Sequence, residues 1–195
     1  MRRIIPALAG LVCAAVAWTA PAAAYEIDPI TREPIVPYYG YGSGFRPMAS
    51  SAYRSVVPFG AGYGAGTVVI STAERRLYYV LGNGQAISYG IGVGRPGFQW
   101  AGTRTITMKR EWPDWSPPAQ MLRRRPDLPR YMRGGINNPL GARAMYLGGS
   151  LFRIHGSNEP ETIGYAVSSG CIRMTNADVI DLYSRVRIGT RVVVR

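Results

Sequence analysis

The chain has 195 residues, with 23 Lys+Arg against 11 Asp+Glu, two Cys and a single His. Such a length fits one domain with modest extensions, two cysteines exclude a disulfide-dense scaffold, and one histidine excludes a clustered-imidazole metal centre. No metal or other cofactor is expected. The net charge of +12, carried by arginine except at Lys109, predicts an anionic partner, and nucleic acid, a membrane surface and a carboxylate-rich polymer all satisfy it.

Arg2 and Arg3 precede an apolar stretch from Ile4 to Trp18, and Ala22-Ala23-Ala24 supplies small residues before Tyr25. This is the pattern of a secretory signal peptide, so residues 1–24 are expected to be removed after Ala24. The apolar run is shorter than the ~20 residues a spanning helix needs, so no membrane span is expected after cleavage. Export leaves 21 basic against 11 acidic residues, makes Cys171 the only cysteine, and argues against nucleic acid as partner.

Residues 25–65 are rich in Tyr, Gly and Pro without a period of 2 or 3.6. They read as a flexible tether to which no fold is assigned. The tyrosines could stack on a partner, or the segment could be a plain spacer.

The folded domain is expected over residues 66–195. It opens with short β-branched and aromatic runs, Thr67–Ser71 and Arg76–Leu81, followed by Gly82-Asn83-Gly84 and Gln85–Gly94. Asn-Gly between such runs predicts a tight hairpin, because its turn needs positive φ. Further strands are expected at Gly102–Arg110, Ala144–Ile154 and Thr190–Val194. Repeated strands between turn clusters predict a mainly β fold, a sandwich or barrel-like core with one or two short helices.

A short first helix is expected where Ser116 caps Pro117-Pro118 and good helix formers run to Pro126, with Arg123-Arg124-Arg125 as a solvated or substrate-facing run. For the second helix, Thr175 caps, and Val179, Leu182, Tyr183 and Val186 repeat at helical spacing. Gly189 ends it.

The candidate chemistry lies in Leu151–Met174, which holds the only histidine and the only cysteine of the exported chain, sixteen positions apart. A thiol nucleophile needs a base to hold it as thiolate, and imidazole has a suitable pKa near ~6.5. His155 and Cys171 therefore predict nucleophilic catalysis; the alternative is a buried, inert cysteine. Gly170 lets the chain turn tightly beside the thiol, so the Gly170 and Cys171 amides are candidate oxyanion donors, unless Gly170 is only a turn residue. Gly156 would leave room beside the imidazole.

At these residues the sequence resembles the L,D-transpeptidase catalytic domain (YkuD type), in which a His-Gly is followed after about fifteen residues by Ser/Thr-x-Gly-Cys, an apolar residue and Arg or Asn. Here the pair is His155-Gly156 and the motif is Ser168-Ser169-Gly170-Cys171-Ile172-Arg173. Trp112–Leu122, Gly135–Gly141, Ala144, Leu147, Asn176, Asp178, Leu182 and Gly189-Thr190 extend the likeness over roughly residues 66–194. Many members carry a second histidine where this chain has Ser169, which leaves His155 as the sole imidazole. A backbone carbonyl of the Gly156–Tyr165 loop or of Asn137–Leu140 is expected to orient it.

The resemblance implies a periplasmic, wall-associated cysteine transpeptidase acting on peptidoglycan tetrapeptide stems. Cys171 would be acylated with release of D-Ala, and an amine of another stem or of an outer-membrane protein would resolve the thioester. Water in place of the amine would make the same fold an L,D-carboxypeptidase. Arg173, two positions past the nucleophile, would face the Cys171 side and bind a stem carboxylate, or else pair with an acidic neighbour. Ser168, Ser169 and Asn158 are further candidates for substrate contact. A sortase-like enzyme is disfavoured by the His-to-Cys spacing and a papain- or NlpC-like peptidase by the His-before-Cys order. A non-catalytic wall-binding module with an inert Cys171 is the remaining alternative.

Overall fold

A computed structural model describes residues 26–27, 34–35, 54–60 and 62–195. The expected signal peptide lies outside the described residues. The strands are β1 (Glu26–Ile27), β2 (Pro34–Ile35), β3 (Ser55–Pro58), β4 (Val68–Ser71), β5 (Arg76–Val80), β6 (Gln85–Gly90), β7 (Val93–Gly94), β8 (Gly102–Glu111), β9 (Arg143–Leu147), β10 (Arg153–His155), β11 (Ala166–Ser168), β12 (Ile172–Arg173) and β13 (Arg191–Val194). Among the described residues, two helices, α1 (Ala119–Arg124) and α2 (Asn176–Arg185), complete the regular structure with a 3-10 turn at Pro160–Thr162.

Nine strands form one sheet in the order β12-β10-β9-β8-β13-β4-β5-β6-β3. The sheet curls on itself. Beyond β6 the chain reaches Gly92, whose N–H and C=O bond Arg173 of the opposite end, and β7 then pairs with β11. The expected barrel-like β fold is therefore closed by the segment that carries the cysteine motif. Val68, Ile70, Leu77, Tyr89, Ile106, Met145, Ile154, Ile172, Leu182 and Val192 fill the core, and α2 covers it. Full burial of each large apolar side chain contributes about 1.5–3 kcal/mol before chain entropy is set against it.

Four local expectations need correction. Ser55–Pro58, inside the expected tether, pairs antiparallel with β6 as an edge strand, so the sheet starts before residue 66. The β5–β6 hairpin forms, but its positive-φ residues are Gly82 and Gly84 rather than an Asn83-Gly84 pair, and Leu81 N–H bonds Gln85 O across a wider loop. The single strand expected at Ala144–Ile154 is two, β9 and β10, which fold against each other across Gly148-Gly149. Ser116 does not cap α1: the cap position is Pro118 and no side chain bonds the helix start there.

The second helix follows its sequence pattern. Thr175 Oγ1 accepts the Asp178 N–H at 3.1 Å, and Val179 and Leu182 are buried. It ends at Arg185 with Val186 as C-cap, while Gly189, at φ 94°, turns the chain into β13 three residues later.

Candidate active site

β10 and β12 run parallel, with Ile154 opposite Ile172 and His155 opposite Arg173. Side chains alternate along each strand, so the two isoleucines point into the core and His155 and Arg173 share the other face. Arg153 falls on that face by the same alternation, as does Cys171 immediately before β12. His155 and Cys171 are thus diagonal neighbours on one face of adjacent strands. Both line an open cavity of about 1210 Å³.

His155 is buried, and its Nδ1 lies 2.6 Å from Gly156 O. A carbonyl can only accept, so Nδ1 carries the proton and Nε2 keeps the lone pair. The orienting carbonyl is therefore that of the next residue in the expected loop. Burial pushes the imidazole pKa down to about 3 against the Gly156 bond that raises it, with Arg173 and Arg153 adding to the fall. Burial also pushes the Cys171 thiol up, although the Arg153 amide and guanidinium and the charge of Arg173 pull it down. The resting pair is neutral thiol and neutral imidazole, where the sequence suggested a thiolate held by its base.

The cysteine turn is wired through Ser168. Its hydroxyl donates to Cys171 O at 2.6 Å and accepts the Gly170 N–H at 3.1 Å. The Gly170 amide is thus engaged, which leaves Cys171 N–H as the candidate oxyanion donor of this turn. Gly170 sits at φ 107°, and a Cβ there would come 2.5 Å from Phe152 Cε1, so both the turn and the packing demand glycine. Gly156 likewise faces away from substrate space: a Cβ would collide with Asn176 Oδ1 at the start of α2. Its expected role beside the imidazole is replaced by a structural one.

Arg173 lines the cavity, as its spacing from Cys171 predicted, and its Nη1 also pairs with Glu159 Oε2 at 3.0 Å. Of the two alternatives raised for it, the pairing with an acidic neighbour is the one observed, with Glu159. Ser169 Oγ accepts from Arg95 Nη1 at 3.2 Å, and Asn158 Nδ2 donates to Asn137 O at 3.2 Å; both line the cavity. The segment between β8 and β9, tied by paired hydrogen bonds between Trp115 and Met132, carries α1 along the cavity wall.

Sequence reasoning missed Arg153, Arg95, Arg104 and Trp100. The alternation Arg153-Ile154-His155 would have placed Arg153 on the histidine face; nothing local marks the other three, which arrive from β8 and the loop before it. Arg95, Arg104, Arg124 and Arg153 line the cavity without an ion-pair partner among the described residues. The Arg153 Nε is buried and unbonded.

The family model of the L,D-transpeptidase catalytic domain (YkuD) matches residues 65–194. The probable L,D-transpeptidase ErfK/SrfK of Escherichia coli K12 is 37% identical over 134 residues, covering 64% of this chain and 42% of that protein. The probable L,D-transpeptidase YbiS of the same organism is 38% identical over 134 residues, covering 64% and 43%. The chain thus spans less than half the length of these curated relatives. Among solved structures, L,D-transpeptidase 3 from Mycobacterium tuberculosis shares the fold at a TM-score of 0.54 and 18% identity, over 66% of this chain and 60% of that one. A Brucella melitensis protein described as a probable carnitine operon oxidoreductase CaiA is 46% identical over 76% of this chain and 96% of its own, at a TM-score of 0.51. With the family model covering most of the described sheet and both motif residues, the chain belongs to the L,D-transpeptidase catalytic-domain family.

Proposed function

We propose that this chain is an exported, periplasmic cysteine acyltransferase that cross-links or tethers peptidoglycan through tetrapeptide stems. The observation that supports this best is the placement of His155 and Cys171 on one face of the β10–β12 pair, in the wall of an arginine-lined cavity. Unpaired guanidiniums suit a substrate bearing several carboxylates.

In this mechanism the Cys171 sulfur attacks the carbonyl carbon after the L-centre of the third stem residue. The thiol proton passes to His155 Nε2 as the S–C bond forms, because neither partner is ionised beforehand. Charge gathers on the carbonyl oxygen, where the Cys171 N–H can receive it. Collapse breaks the C–N bond, and His155 returns the proton to the departing amine of D-Ala. An incoming amine, from another stem or from an outer-membrane protein, attacks the thioester, gives its proton to His155 and restores the thiol. Water in its place yields the carboxypeptidase outcome. Asn158, Ser169 and Arg173 would contact the stem from the cavity wall.

Purified protein is expected to gain a covalent carbapenem adduct at Cys171, seen by mass spectrometry, and to convert tetrapeptide stems into dimers or tripeptides. If no adduct forms and Cys171→Ala alters stems as the unsubstituted protein does, the wall-binding module replaces the enzyme.

A further inference from the structure

We infer that Trp100 is a positioning residue that locks the Gly170–Cys171 peptide with its N–H turned toward the reacting carbonyl; this rests on the acyl-transfer reading above. In a trans peptide the C=O and the following N–H point in opposite directions. The Trp100 indole Nε1–H donates to Gly170 O at 2.8 Å. With the carbonyl held on the Trp100 side, the Cys171 N–H of the same plane must point the other way.

A lock is needed here because the plane hangs on glycine. Gly170, at φ 107° and without a Cβ, tolerates either orientation of the peptide that follows it, so sequence alone does not prevent a flip. Ser168 does not supply the restraint, since its hydroxyl holds the Gly170 N–H and the Cys171 C=O, which belong to the two neighbouring planes. Among the described residues the Cys171 N–H has no hydrogen-bond partner, as a group reserved for a transient charge should.

The indole is itself braced. It stacks on Phe152 with centroids 4.6 Å apart and planes 5° from parallel, and the Arg104 guanidinium lies 5.9 Å from its ring centroid. Phe152 in turn occupies the space that a Gly170 side chain would fill. The aromatic pair therefore fixes both the position and the facing of the peptide at the nucleophile.

Two reactions of the same sulfur separate this role from general packing. Alkylation by iodoacetamide displaces iodide and develops no oxyanion, whereas acylation by a carbapenem passes through a tetrahedral anion. In the full chain, Trp100→Phe keeps the ring and removes the N–H. Its limiting acylation rate should fall about tenfold or more, in the direction of losing an oxyanion donor, with the carbapenem concentration for half-maximal rate and the alkylation rate unchanged. Trp100→His, which retains a ring N–H, should recover part of the loss. Unchanged acylation in Trp100→Phe, or a parallel fall in alkylation, overturns the inference. An unsubstituted protein that alkylates but never acylates removes the acyl-transfer reading itself, and this one with it.

Discussion

Cys171 and His155 rest uncharged because burial disfavours the ionised form of each, in a cavity wall whose nearby charges are cationic. Those cations, Arg153 and Arg173, depress the imidazole and only partly offset the burial of the thiol. Iodoacetamide alkylation of Cys171 should therefore rise with pH along a single curve whose midpoint lies above that of a free cysteine. A thiolate–imidazolium pair would instead show a plateau of reactivity near neutral pH, and finding one would refute the neutral ground state. Arg153→Met should move the midpoint further up, since it removes the charge and side-chain donor nearest the sulfur, and should raise KM for tetrapeptide stems about tenfold if its unpaired guanidinium meets a carboxylate. A pH–rate curve for the thiol and a KM-against-kcat comparison check the two effects separately.

At the scale of elements, α2 is held at both ends by contacts from distant strands. Asn176 Oδ1, at its first turn, accepts the Ala142 N–H at 2.8 Å and packs against Gly141 and Gly156, which joins the helix to the strand that bears His155. Gly156→Ala would drive a methyl into that amide. It is expected to lower thermal stability and activity together, by displacing the carbonyl that orients His155. At the other end, Lys109 Nζ donates to Tyr183 O and Val186 O at 2.7 Å each and lies 4.0 Å from the Tyr183 ring centroid. The chain's only lysine thus answers the last carbonyls and the negative end of the helix dipole. Lys109→Met should cost about 2 kcal/mol in denaturant unfolding, and Lys109→Arg should restore little of it, because a planar fork does not match two carbonyls converging on one nitrogen. The pattern of α2 was legible because its Thr175 cap and apolar spacing are local. The break between β9 and β10 was not, because a Gly148-Gly149 turn inside an apolar run resembles a strand with weak positions until pairing decides.

For the whole molecule, His155 couples protonation to folding. Its folded pKa is about 3 against ~6.5 when unfolded, so between those values the unfolded chain binds the extra proton. The stabilisation is complete above pH ~6.5 and is lost as pH falls toward 3, by about 1.4 kcal/mol per unit. The difference between the unsubstituted chain and His155→Gln, followed by chemical denaturation across this range, should carry that slope; a pH-independent difference would show that the imidazole is not held neutral by burial. Sequence by itself determined the mainly β character and the second helix, because β-branched and aromatic runs between turn clusters, a helix cap and helical apolar spacing are properties of residues close together in the chain. Only the tertiary structure decided that β13 enters the sheet between β8 and β4, that Ser55–Pro58 is part of it, and that the Gly92–Arg173 bridge closes the curl. The same fold brings Trp100 to the Gly170–Cys171 peptide and Arg153 to the cysteine sulfur. Those placements depend on contacts between residues far apart in the chain, which no local pattern specifies.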